Sequence, residues 1–467
     1  MDAKIKLIGG PALDKTVESA LNEIACKEAV EEVVALPDLH FKSTMESPSS
    51  LAVGVKDYII PQLSSTSVNC GMALVKTNLS EEAFGAKPLD RFFSAIRDAF
   101  PYDTWRPTIT KKEVLQAITY GADWALKRYD LDDQFRQRIS QNGNCSTDKD
   151  TDLSLAERLH PGNVLEECCY NFGEIGRSNH FIEVQVVEEI LDKEVGRMLG
   201  IEPGQVLIMY HGGGGSYCGL IGRLFVPRKK GSLLGKLYNL RRRKIPFHLK
   251  TAESLRDVLD RLRYYFVKRP HTLIPSESKE GKRLLTYNKF SMSYGYAYRI
   301  AALSMIQRSL KTVADNASLS LMYDLPHNVI TREEIGGANL LVHRHNSTMG
   351  YPKSRMQQHP VFKETGQPLL LPGMGFTSSY LCVADEGARE TLFSVDHGAG
   401  RTIMRHIQSG LSKKKAERMT RRYSYDSAEV QPVEHYDDVG INAVLDPLTA
   451  RRIVKPVARL RPIAGLT

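Results

Sequence analysis

The chain has 467 residues, 42% of them hydrophobic, enough for a sizeable core in one large or two ordinary domains. With a net charge of +9, no run of about 18 apolar residues and no charged-then-apolar leader after Met1-Asp2-Ala3-Lys4, it excludes a spanning helix and reads as cytoplasmic. Its seven cysteines (26, 70, 145, 168, 169, 218, 382) are odd in number and lack a CxxC pair, which argues against a disulfide framework and requires any metal-binding cysteine to use ligands distant in sequence.

Residues 14–32 pattern as an amphipathic helix, followed by the apolar run Val33 to Leu36 and by Pro37-Asp38-Leu39-His40, which places polar groups at a sheet edge. Residues 53–76 are β-like, with Tyr58-Ile59-Ile60-Pro61 and Met72-Ala73-Leu74-Val75 flanking a small-polar loop that holds Cys70. An inert half-buried thiol and a metal-held thiolate are both open there. Helices are expected at about 80–100 and 111–129, and an exposed loop at 140–152. Gly176 to Gln185 alternates as a strand does, so His180 and Glu183 face opposite sides unless the strand begins after His180. A helix to about Leu199 and a strand Val206 to Met209 then lead into Tyr210-His211-Gly212-Gly213-Gly214-Gly215. That imidazole lies beside a backbone stripped of side chains, and no Gly-Lys-Ser/Thr follows to make a Walker loop.

Residues 228–275 read as a basic helical insertion containing Arg228-Lys229-Lys230 and Arg241-Arg242-Arg243-Lys244. Its aromatics (Tyr238, Phe247, Tyr264, Tyr265, Phe266) suit base stacking or core packing. A long helix at about 284–313 carries an aromatic stripe assigned to the core. Leu319 to Tyr323 is a strand ending in Asp324-Leu325-Pro326-His327-Asn328; Leu340 to Arg344 carries His343, with His345 just beyond; Leu369 to Leu371 enters Pro372-Gly373-Met374-Gly375. The run Phe393 to Asp396 stops at His397, and Gly398-Ala399-Gly400-Arg401 follows. This turn offers a nucleophile, a backbone an anion can approach and a guanidinium suited to phosphate, although a plain surface turn has the same composition. A basic helix is expected at 411–422, as a solvated face or an RNA contact.

Cys70, His180, His211 and His327 share a setting, a strand end or a glycine-rich loop. Thiolate with imidazole selects a borderline ion such as zinc, manganese or iron, which can orient a nucleotide's phosphates.

In chain order, PDLH (37–40), NCG (69–71), NHFIEVQ (179–185), MYHGG (209–213), YDLPHN (323–328), VHR (342–344), LPGMG (371–375), HGAGR (397–401) and ARLRPI (458–463) resemble the RtcB family of RNA ligases. The resemblance implies an α/β fold, a single large domain over 1–467 with mixed β-sheets flanked by helices around a deep metal and nucleotide cleft. It implies a GTP- and manganese-dependent ligase of RNA repair or tRNA splicing that joins 2′,3′-cyclic phosphate or 3′-phosphate ends to 5′-hydroxyl ends. The implied partners are GTP and RNA with broken ends, tRNA or another structured RNA, and no membrane. His397 would take GMP as a phosphoramidate, with Arg401 near the transferred phosphate. Cys70, His180 and His211 would hold one Mn2+, and Cys70 with His327 would contribute to a second; Asn179 and Glu183 would contact the nucleotide and Tyr436 the guanine.

The chain departs from the family pattern at four places. Ser67 replaces an aspartate, with Asp38 the first candidate for a substitute carboxylate. Gly212 to Gly215 and Ser216 replace an arginine-bearing motif, the Pro372 to Gly375 loop lacks a serine, and Thr467 stands where the family has a lysine that recognises guanine. These leave open an enzyme that caps 3′-phosphate ends with GMP without joining them, and a weakened RNA-binding paralogue. The sequence leaves the oligomeric state open.

Overall fold

Alternation along the strands decides the layers. In the strand Cys70–Ser80, Met72 and Leu74 enter one core while Ala73 and Val75 enter another, so both of its faces are covered. The strand Val30–His40 repeats the pattern, with Val34 and Leu36 sharing the core of Met72 and Leu74 and Val33 and Ala35 entering a third. The computed structural model describes residues 3–10, 13–41, 45, 47–64, 67–100, 107–145, 151–176, 179–226, 232–267 and 271–467.

The three cores separate four layers of a mixed α/β fold. The outer layer is helical, dominated by Lys279–Leu310, whose Tyr287, Phe290, Tyr294 and Tyr296 are buried, so the aromatic stripe is core as expected. Ser278 caps this helix by accepting from Gly281 N (3.0 Å). Below it lies an eleven-stranded sheet, then a five-stranded sheet containing Val30–His40, Ser49–Val55 and Ala338–His345, and last the helix Lys15–Ala25.

At the centre of the large sheet, Phe181–Ile190, Gln205–Gly212, Cys70–Ser80 and Leu319–His327 run side by side and antiparallel. Their register puts Phe181 opposite His211, Met72 opposite His211 and Cys70 opposite His327. Four sequence-distant chemical groups thus reach one end of the sheet. The short strands Ser347–Met349 and Ser394–Asp396 extend it past His327 and deliver His397 to the same end.

Several element boundaries differ from the sequence pattern. The first helix stops at Ala25, because Val30 already pairs with Val55. The segment at 111–129 is two helices, Lys111–Tyr120 and Ala122–Arg128, broken at Gly121 with φ +55°. The expected basic helix at 411–422 is instead the strand Lys414–Tyr423, antiparallel to Gln431–Tyr436 and parallel to Val454–Leu466. Residues 233–266 form short helical turns, among which Phe247 and Tyr265 are buried rather than available for stacking. Arg228-Lys229-Lys230 and residues 146–150 of the expected loop lie outside the described residues. No disulfide links the seven cysteines, all of which are described. Among the described residues no helix is long and apolar enough to cross a membrane.

Candidate active site

The strand Phe181–Ile190 begins after His180, which resolves the face question: His180 sits in the turn before the strand while Glu183 points inward from it. Cys70 Sγ lies 3.4 Å from His180 Nε2 and 3.2 Å from His211 Nε2, and these three ligand atoms form the one metal-competent group of His, Cys, Asp or Glu among the described residues. A tetrahedral ion with metal–sulfur and metal–nitrogen bonds of about 2.3 and 2.0 Å separates such atoms by roughly 3.5 Å, so the donor set fits a divalent ion.

His211 donates from Nδ1 to the Asn179 carbonyl (2.9 Å), which fixes the tautomer that turns the Nε2 lone pair toward Cys70. Burial holds His180 down to about 4 and His211 and His327 well below the usual histidine range, with neighbouring imidazoles adding to the effect for the latter two. All three are therefore neutral at pH 7, the form that ligates a metal. His327 is outside the three-ligand group, its Nε2 3.4 Å from His211 Nε2.

His397 completes the cluster, its ring 4.2 Å from that of His327 and 6.2 Å from that of His211. Its Nδ1 is 2.8 Å from the Asn346 carbonyl, which can only accept, so Nδ1 carries the proton and Nε2 the lone pair. Cys70, His211 and His327 are buried, His180 and His397 half-buried, and Asn179 and Arg401 exposed, so the cluster opens on the side of the latter four. Arg401 stands in the first turn of the helix Gly400–Gln408.

The glycine run after His211 serves close approach. A Cβ at Gly213 would lie 2.9 Å from His180 Cε1 and 3.7 Å from Ser67 Oγ, which also puts Ser67 beside His180. Asp38 does not replace the missing carboxylate. It is buried and accepts from Thr402 N (2.8 Å) and Thr402 Oγ1 (2.6 Å), anchoring the Arg401 helix, and it is outside the metal-competent group.

Glu183 is buried under the Pro372 to Gly375 loop and takes a hydrogen bond from Gln185 Nε2. Burial pushes its carboxyl up to about 7, against the opposing pull of Gln185, Ser379 and Arg422. Tyr436 lines a pocket of about 410 Å³ with Phe376, Arg422 and Glu434, and the Arg422 guanidinium lies 5.3 Å above the Phe376 ring.

Sequence reasoning missed the residues that hold this cluster in place. Arg299 is buried, donates to both oxygens of Asp324 (2.8 and 3.0 Å) and reaches Asn69 O (2.9 Å) and Oδ1 (3.1 Å). It fixes the residue before Cys70 from inside the core. Asn346, which orients His397, belongs to none of the motifs; Phe376 and Arg422 gave no signal beyond general aromatic and basic composition.

A family model described as tRNA-splicing ligase RtcB matches residues 20–466. Proteins named tRNA-splicing ligase RtcB share 27% identity with the chain in Methanococcus maripaludis, over 86% of this chain and 82% of that protein, and 24% in Aeropyrum pernix, over 97% and 91%. A third, from Methanopyrus kandleri, is 28% identical over 85% of this chain, which spans only 41% of that relative's length.

Proposed function

Because the chain belongs to the RtcB family, whose model covers almost its whole length, we propose that it is an RNA ligase that activates a 3′-phosphate end with GMP carried on His397. The observation that carries this reading is the convergence of His397 on the Cys70, His180 and His211 group, with its Nδ1 proton engaged by Asn346 O. A divalent ion, manganese in this reading, would be held by those three ligands, with His327 and Cys70 contributing to a second, and would supply positive charge against the nucleotide's phosphates.

His397 Nε2 attacks the α-phosphorus of GTP; the N–P bond forms as the bond to the bridging oxygen breaks, and pyrophosphate leaves with the electron pair. An oxygen of the RNA 3′-phosphate, itself the product of opening a 2′,3′-cyclic phosphate, then attacks the same phosphorus. The N–P bond breaks, its electron pair returns to Nε2, and the RNA end carries GMP through an anhydride. The 5′-hydroxyl of the second end attacks the RNA phosphorus and gives up its proton to solvent; the anhydride P–O bond breaks and GMP departs with the electron pair. Arg401, exposed at the start of its helix, provides a cation for the transferred phosphate, and Asn179 and Glu183 would contact the nucleotide. The pocket of Phe376, Arg422 and Tyr436 suits a stacked, hydrogen-bonded base.

The test supplies RNA fragments with 3′-phosphate and 5′-hydroxyl ends, GTP and Mn2+. Joined product that requires His397 is expected. A GMP-capped 3′ end without joining is the outcome of the second reading, favoured by Gly212 to Gly215 standing where an arginine would hold the second RNA end. No change in either end contradicts both.

A further inference from the structure

Three asparagines in the left-handed backbone region surround the cluster: Asn69 (φ +51°), Asn328 (φ +61°) and Asn346 (φ +49°). Asparagine tolerates this region better than other side chains, but each instance costs some strain, and three at one site need a compensating reason. The hydrogen bonds supply it, and they centre on Asn328, which is 2% exposed.

Asn328 Oδ1 accepts from Asn346 N (2.7 Å), and the Asn346 carbonyl accepts from His397 Nδ1 (2.8 Å). Asn328 Nδ2 donates to Ser67 O (3.1 Å), and Ser67 O also accepts from Cys70 N (3.3 Å). The Asn328 carbonyl accepts from Asn69 N (3.3 Å). One primary amide therefore has its acceptor on the residue that orients His397 and its donor on the turn that presents Cys70. His327, the next residue back, lies between the two groups it joins.

We infer that Asn328 is a positioning residue that couples the placement of the metal-ligating turn at 67–70 to the orientation of His397, so that metal binding and nucleotidyl transfer share one support. This rests on the reading of His397 as the GMP acceptor. The amide carries its acceptor and its donor on separate atoms, so it can face both partners at once, and asparagine tolerates the positive φ required here.

Two variants of the full chain separate coupling from simple support. Asn328→Gly keeps the backbone conformation without strain and removes both links. Asn328→Asp keeps the acceptor for Asn346 N but has no proton for Ser67 O. Mn2+ binding is measured without nucleotide by competition with a chelating dye, and label transfer from α-labelled GTP to protein is followed in single turnover at saturating Mn2+. Thermal midpoints check folding. Asn328→Gly should lose roughly 10- to 100-fold in both Mn2+ affinity and transfer rate, the range for supports of metal ligands. Asn328→Asp should match the Gly variant in weakened Mn2+ binding yet recover about tenfold of its lost transfer rate, a split that loss of general rigidity would not produce. Equal transfer rates in the two variants, or wild-type values in the Gly variant, would overturn the inference. A wild-type protein that binds Mn2+ but takes no label removes the GMP-acceptor reading alone. The metal arm then decides: weakened binding in both variants upholds the support of the 67–70 turn, and unchanged binding rejects it.

Discussion

Burial changes the chemistry of Glu183 directly. Its carboxyl is raised to about 7 from 4.5, chiefly by desolvation. Between those values the folded chain keeps a proton that the unfolded chain has released, so stability falls as pH rises from about 4.5 to about 7 and is flat above. Glu183→Gln removes this dependence. Denaturant unfolding at pH 4.5 and pH 8 should show the wild type losing about 3 kcal/mol relative to the variant across that window, and a pH-independent difference would contradict it. The sequence shows Glu183 as part of a strand but not its depth. Alternation gives the face, whereas the loop of Pro372 to Gly375 that closes over it comes from nearly two hundred residues away. The same limit hid Asn346, whose contribution is a backbone carbonyl and so leaves no side-chain signature.

At the scale of elements, the strand Cys70–Ser80 holds its position at the site through the helix Lys279–Leu310 packed on it. Arg299 reaches down from that helix to Asp324 and Asn69, and a Cβ at Gly71 would lie 2.6 Å from its Cζ, so the strand has no side chain where the guanidinium crosses. Both partners of the Arg299–Asp324 pair are fully buried. Arg299→Ala would leave the Asp324 carboxylate buried without its partner and should cost about 3–5 kcal/mol in unfolding, whereas a loss under about 1 kcal/mol would contradict this role. The long helix was legible because its aromatic stripe is continuous. The strand Lys414–Tyr423 was not, because Lys, Ala, Glu, Arg and Met favour a helix locally. Pairing with Gln431–Tyr436 and Val454–Leu466 overrides that preference, and local sequence carries no record of those neighbours.

Across the whole molecule, the order of the motifs was readable from end to end, and the resemblance implied that Cys70, His180 and His211 meet, while the strand arrangement that brings them together was not readable. Their meeting depends on four central strands ending together and on Ser347–Met349 pairing with Ser394–Asp396 to bring His397 past His327. Charge is also redistributed by the fold. Arg243 pairs with Glu167, Lys414 with Glu434, Arg418 with Glu188 and Arg421 with Asp90, so the basic runs in the sequence overstate the positive surface they offer to RNA. The site instead gathers neutral imidazoles, one thiol and a tautomer-fixed His397 at the end of a buried sheet, and the proposed nucleotidyl transfer rests on that arrangement. The most direct test incubates the protein with α-labelled GTP and Mn2+ and asks whether label becomes attached to it. Acid-labile, alkali-stable label on the wild type that is lost in His397→Ala is the expected result; no label, or label that survives the substitution, would contradict the account.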